Sequence, residues 1–165
     1  MEPMGTESKT YVCVVFHHSD LRPEGLQMAQ NFCQSWKKYN LPFSLMVLDN
    51  QSTCQFDCLD GIDHTFIRVD DQIAGGGITG AWNTLCREAI AKGAEVITGF
   101  ADDVQVNDSL IKLIDSVQDD NTVYAPLTDG MHNAWLDQKA NSIRPGFTKV
   151  VNSINGFWMA FTKQF

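Results

Sequence analysis

Positive charge is scarce in this chain of 165 residues, because 12 Lys and Arg residues stand against 20 Asp and Glu residues and the net charge is −8. A protein that binds the phosphate backbone of nucleic acid needs a basic face, so this balance argues against such a partner. Long apolar runs are also missing, and no stretch approaches the roughly 20 residues of a membrane span. The first eight residues lack the basic and apolar regions of a signal peptide. We therefore predict a cytoplasmic protein without a membrane span.

The cysteines also lack the spacing of a zinc-binding motif. The five cysteines are an odd number, and Cys54 and Cys58 have no second Cys or His pair at ligand spacing. Free, reduced thiols are therefore expected. The hydrophobic content of 44% is enough for one packed core. We predict a flexible N-terminal tail at residues 1–10 and a single domain at residues 11–165.

Short apolar runs alternate with helical stripes along the chain. The runs predict strands at 11–16, 43–48, 64–69, 96–100, 122–125 and 157–161. The stripes predict helices around residues 29–36, 78–90 and 110–117, and a polar loop is expected at 127–147. Strands that alternate with helices in this way are typical of a doubly wound α/β fold with a mostly parallel central sheet flanked by helices.

Paired carboxylates follow the apolar run at 96–100. Asp102 and Asp103 would lie at the carboxyl edge of a parallel sheet, which is where open α/β sheets bind ligands. Carboxylates there hold a divalent cation, and the cation holds phosphates. Asp49 likewise ends the run at 43–48 and could accept hydrogen bonds from a base or ribose. Local alternatives remain open, since Asp102 and Asp103 could begin a turn and Asp49 could form an Asx-turn.

Residues 75–80, Gly-Gly-Gly-Ile-Thr-Gly, match the G-x-G-x-x-G pattern of dinucleotide-binding proteins. An NAD(P)-dependent oxidoreductase is therefore one alternative. The pattern should follow a strand almost at once and open the first β–α unit, yet Asp70 to Ile73 intervene and the first unit carries no glycine loop. The other interpretation is that these glycines let the backbone pass close to the sheet before a helix begins.

Taken together, the order of the motifs resembles family 2 glycosyltransferases of the GT-A fold. The second strand of that family typically ends in a D-N/D-G-S motif, which residues 49–52 resemble. The segment that leads into the family's next helix is resembled at 77–83, and its metal-binding D-x-D or N-x-D motif at 101–104. A later strand with small and aromatic residues is matched at 155–161. The resemblance covers nearly the whole chain from Tyr11 onward.

The resemblance implies a metal-assisted, inverting transfer of a sugar from a UDP, GDP or dTDP donor to a hydroxyl of a glycan, lipid or protein. Asp103 would bind Mn²⁺ or Mg²⁺ through the donor's diphosphate, and Asp49 would contact the base or ribose. The nucleotide-sugar-binding residues that it implies are His17, Asp49, Asn50, Ser52, Asn83 and Asp102.

The sequence departs from the family pattern in three respects. Ala101 replaces the first acid of D-x-D, and Trp82 replaces an Arg that often precedes the helix Asn. The family's catalytic base usually follows the last strand, whereas this sequence ends at Phe165. The sequence is therefore expected to be a fragment or to take its base from elsewhere, with Asp129 and Asp137 as the nearby candidates. A nucleotide-sugar-binding module without turnover is the main alternative.

Overall fold

Strands and helices alternate along the chain in the predicted order. The structure, a computed structural model, describes residues 9–71, 73–117, 120, 122–124 and 158–164. Its elements are β1 Thr10–Phe16, α1 Gly25–Tyr39, β2 Ser44–Asn50, a 3-10 helix Asp57–Leu59, β3 His64–Val69, α2 Gly77–Ala91, β4 Val96–Ala101, α3 Asp108–Asp115 and β5 Trp158–Thr162. Loop 127–147, residues 1–8 and the candidates Asp129 and Asp137 lie outside the described residues.

The strands form a five-stranded sheet in the order β3-β2-β1-β4-β5. Strand β1 pairs in parallel with β2 and β4, and β2 pairs in parallel with β3. Strand β5 runs antiparallel to β4, so a uniformly parallel sheet is not formed. The predicted α/β class with a mostly parallel sheet is confirmed. Because the chain leaves β1 toward β2 on one side and β4 lies on the other, the topological switch point falls between β1 and β4.

Two apolar cores cover the two faces of the sheet. One core lies between the sheet and helices α1 and α3, and its fully buried side chains include Phe16, Phe32, Phe100 and Leu110. The other lies under α2 and includes Met46, Leu48, Leu85 and Ile97. Burying a large apolar side chain contributes about 1.5–3 kcal/mol to the stability of the fold. Strand β1 is buried along its whole length and supplies side chains to both cores, so it stabilises the packing on both faces of the sheet.

The structure also departs from the sequence-based predictions in two elements. At 122–124 only Tyr124 makes a bridge, an antiparallel one to Ala160, instead of forming a strand. The predicted apolar stripe of α2 is wider than its contact with the sheet, since Ile78 and Ile90 are exposed.

All five cysteines are free thiols, as predicted. None of the described helices has the length and apolar character needed to cross a membrane.

Candidate functional site

Three loops meet at the carboxyl edge of the sheet. In the parallel register Phe16 lies opposite Asp49, and Val15 lies opposite Ala101. The segments that follow β1, β2 and β4 must therefore emerge side by side. These are the segments that carry most of the predicted site residues.

Asp102, directly after β4, is buried and paired with Arg22 from the loop that follows β1. Arg22 Nη2 donates to Asp102 Oδ1 at 2.6 Å, and Nη1 donates to Oδ2 at 2.7 Å. This hydrogen bond raises the pKa of Arg22 above its usual value. Arg22 Nη1 also donates to the His17 carbonyl at 3.0 Å, and the His17 amide lies 3.4 Å from Asp102 Oδ2. The pair thus fastens the β1–α1 loop to the end of β4 at the switch point.

Asp49 is buried at the end of β2 and paired with Arg68 of β3. The two residues lie opposite each other in the strand register, and Arg68 Nη1 donates to Asp49 Oδ2. Asp49 Oδ1 accepts the Ser52 backbone N–H at 2.9 Å, a local bond to the third residue along the chain, whereas an Asx-turn would use the N–H of Gln51. Arg68 Nη2 donates to the Ser52 carbonyl at 3.0 Å. Both oxygens of Asp49 are therefore engaged, whereas the Arg68 side chain is 44% exposed.

The two histidines after β1 join the Asp49 turn to the Asp102 pair. His17 Nδ1 is 2.8 Å from the Asn50 carbonyl, and because a carbonyl only accepts, Nδ1 carries the proton. In the neutral ring Nε2 is then a hydrogen-bond acceptor. The His18 backbone N–H donates to Ser52 Oγ at 3.0 Å. We call the assembled group the carboxyl-edge cluster: His17, Arg22, Asp49, Asn50, Ser52, Arg68 and Asp102.

Asp103 directly follows Asp102 but differs from the two carboxylates of the cluster, Asp49 and Asp102, which are buried. Its side chain is exposed, and the preceding Asp102 has both oxygens engaged by Arg22. Within the part of the chain that the structure describes, no group of three His, Cys, Asp or Glu side chains is placed to hold a metal ion. Mg²⁺ is commonly bound by one or two carboxylates together with substrate phosphates. By itself Asp103 does not form a preformed metal site among the described residues.

Helix α2 carries the remaining predicted residue, Asn83. It is exposed, and among the described residues no hydrogen bond joins it to the carboxyl-edge cluster. The glycine segment before it has a structural explanation. Gly76 and Gly77 adopt positive φ angles of 81° and 63°, and a Cβ on Gly80 would lie 1.6 Å from the Gly75 carbonyl oxygen.

Arg22 and Arg68 are the cluster residues that the sequence reasoning missed. Arg68 faces Asp49 because residues 45–50 pair with residues 64–69. Aligning the predicted strands 43–48 and 64–69 end to end would instead place Arg68 opposite Val47, so the pairing needs the register that the structure supplies. Arg22 has no sequence signal either. It lies in an irregular loop, and its partner Asp102 is 80 residues away along the chain.

Comparison with known proteins supports the fold. Neither a family model nor a curated protein matches this sequence. Similar solved structures include TarS of S. aureus, residues 1–349, with 20% identity and a TM-score of 0.52 over 70% of this chain. Another is a protein from Desulfovibrio desulfuricans G20 with a provisional designation as a nucleotide-diphospho-sugar transferase, with 10% identity and a TM-score of 0.56 over 96% of this chain.

The matched regions cover only part of each neighbour. They amount to 34% of the TarS chain and 65% of the Desulfovibrio chain. Identities this low establish architecture and leave the reaction to be tested. On this evidence the chain has the predicted GT-A-like α/β fold, with a mostly parallel sheet flanked by helices.

Proposed function

We propose that this chain binds a nucleotide-sugar donor at the carboxyl edge of its sheet and transfers the sugar to an acceptor hydroxyl. The observation that carries the proposal is the carboxyl-edge cluster at the switch point, where residues predicted separately from three segments lie in one hydrogen-bonded group. The similarity in fold to a nucleotide-diphospho-sugar transferase supports the same substrate class.

The exposed groups of the cluster are the ones that would touch the donor. Asp49 is 1% exposed, so we propose that it contacts the base or ribose only after a shift of its turn, and otherwise orients Arg68. The guanidinium of Arg68 presents donors to base carbonyls or ribose oxygens. With Nδ1 of His17 donating to the Asn50 carbonyl, Nε2 of the neutral ring offers an acceptor to the donor. Asn83 would reach the donor from the neighbouring helix.

A divalent cation, Mn²⁺ or Mg²⁺, would be held by Asp103 together with the donor's diphosphate. Such a cation neutralises the charge that develops on the departing nucleotide. Asp102 would act indirectly, since its pairing with Arg22 fixes the turn that presents Asp103. For an inverting reaction a carboxylate must also remove the proton of the acceptor hydroxyl. Asp129 and Asp137 remain the proposed candidates for that base.

The proposal is tested by titrating the protein with UDP, GDP and dTDP, each with and without Mn²⁺, by calorimetry. We expect one nucleotide to bind at least tenfold more tightly when Mn²⁺ is present. Mn²⁺ alone should bind weakly, because among the described residues no three His, Cys, Asp or Glu side chains are grouped to hold a metal ion. Equal affinity with and without the metal would contradict metal assistance, and failure of all three nucleotides to bind would contradict the donor site.

The role of Asp103 has a matched control on the opposite edge of the sheet. Asp103→Asn should abolish the metal-dependent gain in nucleotide affinity while leaving the unfolding midpoint unchanged, since the side chain is exposed. Asp63→Asn removes an exposed carboxylate next to the start of β3 and should leave the gain intact. An equal loss in both variants would show that net charge, and not the position of Asp103, is responsible.

A binding module without turnover is the second candidate, and one observation favours it. Ala101 supplies no carboxylate, and Arg22 engages both oxygens of Asp102. Incubation with UDP-, GDP- and dTDP-sugars separates the two candidates. Release of nucleotide, by transfer or by hydrolysis, favours the enzyme, and tight binding with no release favours the module. No feature of the described residues favours the NAD(P) alternative, and the cytoplasmic location stays a prediction.

A further inference from the structure

Two cysteines from different elements lie in contact on the face of the sheet covered by α1. Cys33 of α1 and Cys58 of the 3-10 helix Asp57–Leu59 have their sulfur atoms 3.2 Å apart, although they are 25 residues apart in the chain. The sulfurs need to approach by about 1 Å to reach the length of a disulfide bond, ~2.05 Å. Neighbouring side chains on both elements, Phe32 and Leu59, are buried in the same core, which holds the two sulfurs close together.

The two thiols differ in exposure and in acidity. Cys33 is 1% exposed, whereas Cys58 is partly open to solvent. The hydrogen bond from Cys33 lowers the pKa of Cys58, and Lys37 acts in the same direction. The same hydrogen bond and burial raise the pKa of Cys33. Cys58 is thus the sulfur that reacts first, and Cys33 is the sulfur that keeps its proton.

We propose that Cys33 and Cys58 are a redox-active thiol pair that a hydroperoxide converts into a reversible intramolecular disulfide. This modification site is independent of the proposed transferase activity. In the first step the Cys58 thiolate attacks a peroxide oxygen, the O–O bond breaks, and the departing alkoxide takes a proton from water to become an alcohol. Cys58 becomes a sulfenic acid.

In the second step the Cys33 sulfur attacks the Cys58 sulfur. The S–S bond forms, the S–O bond breaks, and the hydroxide leaves with the Cys33 proton as water. The pair is oxidised by two electrons, and the peroxide is reduced by two. An added dithiol reverses the reaction by thiol–disulfide exchange.

The disulfide would link α1 to the connection between β2 and β3. That connection, residues 51–63, includes Ser52, whose hydroxyl accepts the His18 N–H at the carboxyl edge of the sheet. A covalent link closing the loop between Cys33 and Cys58 reduces the freedom of the unfolded chain. Oxidation should therefore stabilise this segment and slow its opening.

The test is oxidation of the full chain with a small excess of hydrogen peroxide, followed by mass spectrometry. We expect the intact mass to fall by two hydrogen atoms and to be restored by dithiothreitol. Cleavage at acidic residues separates the cysteines, because Glu24 lies between Cys13 and Cys33, and Asp57 lies between Cys54 and Cys58. Without reduction, the peptides of Cys33 and Cys58 should stay linked. A link through Cys54 or Cys86, or no disulfide, would overturn the proposal.

Serine variants assign the order of the two steps. Cys33→Ser should leave a sulfenic acid on Cys58 that dimedone traps, whereas Cys58→Ser should leave Cys33 unmodified. Cys54→Ser is the matched control and should form the disulfide at the normal rate. Sulfenic acid on Cys33 of the Cys58→Ser variant at the normal rate would overturn the assigned order.

In the unmutated protein, oxidation should raise Tm by on the order of 5 °C and slow hydrogen exchange at 51–63. An unchanged Tm and exchange rate would overturn the proposed link between the two elements.

Discussion

At the scale of single residues, the arrangement depends on two buried carboxylates that each have an arginine partner. Asp102 is 2% exposed and Asp49 is 1% exposed. A buried charge without a partner is strongly destabilising, so each arginine is needed by its carboxylate before any ligand binds. This explains why Arg22 and Arg68 converge on the candidate site although neither belongs to a recognised motif.

Replacing Arg22 with Met should destabilise the fold by about 2–3 kcal/mol, because Asp102 would stay buried without its bidentate partner. The value lies below that of a fully buried pair, since the Arg22 side chain is 30% exposed. Urea unfolding at neutral pH measures the change. In the double variant Arg22→Met/Asp102→Asn the loss should be smaller than in Arg22→Met alone, because no charge is stranded.

The matched control for Arg22 is Arg87→Met. Arg87 is exposed on α2, so its replacement should change the stability by less than about 0.5 kcal/mol. Equal effects at positions 22 and 87 would show that the Arg22–Asp102 pair has no special role in stability.

At the scale of elements, two close backbone approaches fix how loops meet helices. A Cβ on Gly25, the first residue of α1, would lie 1.9 Å from the carbonyl oxygen of His17. Gly80 has a similar relation to Gly75 in front of α2. The first contact allows the β1–α1 loop to fold back on the helix and hold His17 beside Asp102. Residue size, and not only backbone freedom, therefore selects glycine at these positions.

Gly25→Ala should destabilise the protein by at least about 2 kcal/mol, because the added methyl group overlaps a backbone atom that cannot rotate away. This reverses the usual effect of the same change within a helix, where Ala is favoured over Gly by up to about 1 kcal/mol. Chemical denaturation followed by circular dichroism measures the sign.

Gln30→Ala is the control on the same helix. Gln30 is exposed, so the change should alter stability by a few tenths of a kcal/mol in the favourable direction. Stabilisation by Gly25→Ala would contradict the close approach of α1 to the loop.

At the scale of the whole molecule, the central strand is buried on both faces and carries a titratable thiol. Cys13 of β1 is fully buried in the core under α2. Burial, with a smaller contribution from Cys86, raises the pKa of Cys13 well above its ordinary value of 9.0. The protonated thiol is compatible with this core, whereas the thiolate is compatible only with the unfolded chain.

The stability should therefore fall in alkaline solution. Because the pKa of Cys13 is higher in the folded state, its contribution is fully present below pH 9.0 and is lost progressively as the pH rises above it. The expected slope for one such thiol is about −1.4 kcal/mol per pH unit. Urea unfolding from pH 7 to 10.5 measures it, and Cys13→Ala should have a shallower slope above pH 9 despite a lower stability at pH 7. If the unfolding free energies of the two proteins fell in parallel above pH 9, the raised pKa of Cys13 would be contradicted.

The sequence by itself determined the local pattern of this protein. Continuous apolar runs indicated strands buried on both faces, and the stripe containing Ala29, Phe32 and Trp36 indicated the buried face of α1, as the structure confirms. These predictions succeed because side-chain periodicity depends only on neighbours along the chain. The same reasoning placed Asp49 and Asp102 at strand ends, and therefore at one edge of a parallel sheet.

Only the tertiary structure decided the direction of β5 and the partners of the buried acids. An apolar run predicts a strand but not its direction. Whether β5 pairs with β4 in parallel or antiparallel depends on the path by which the chain returns to the sheet. The pairing of Asp102 with Arg22 joins residues 80 positions apart, and nothing local to either residue specifies it. Periodicity encodes which side chains are buried, whereas the charge partner of a buried acid depends on which loops packing brings to the same edge.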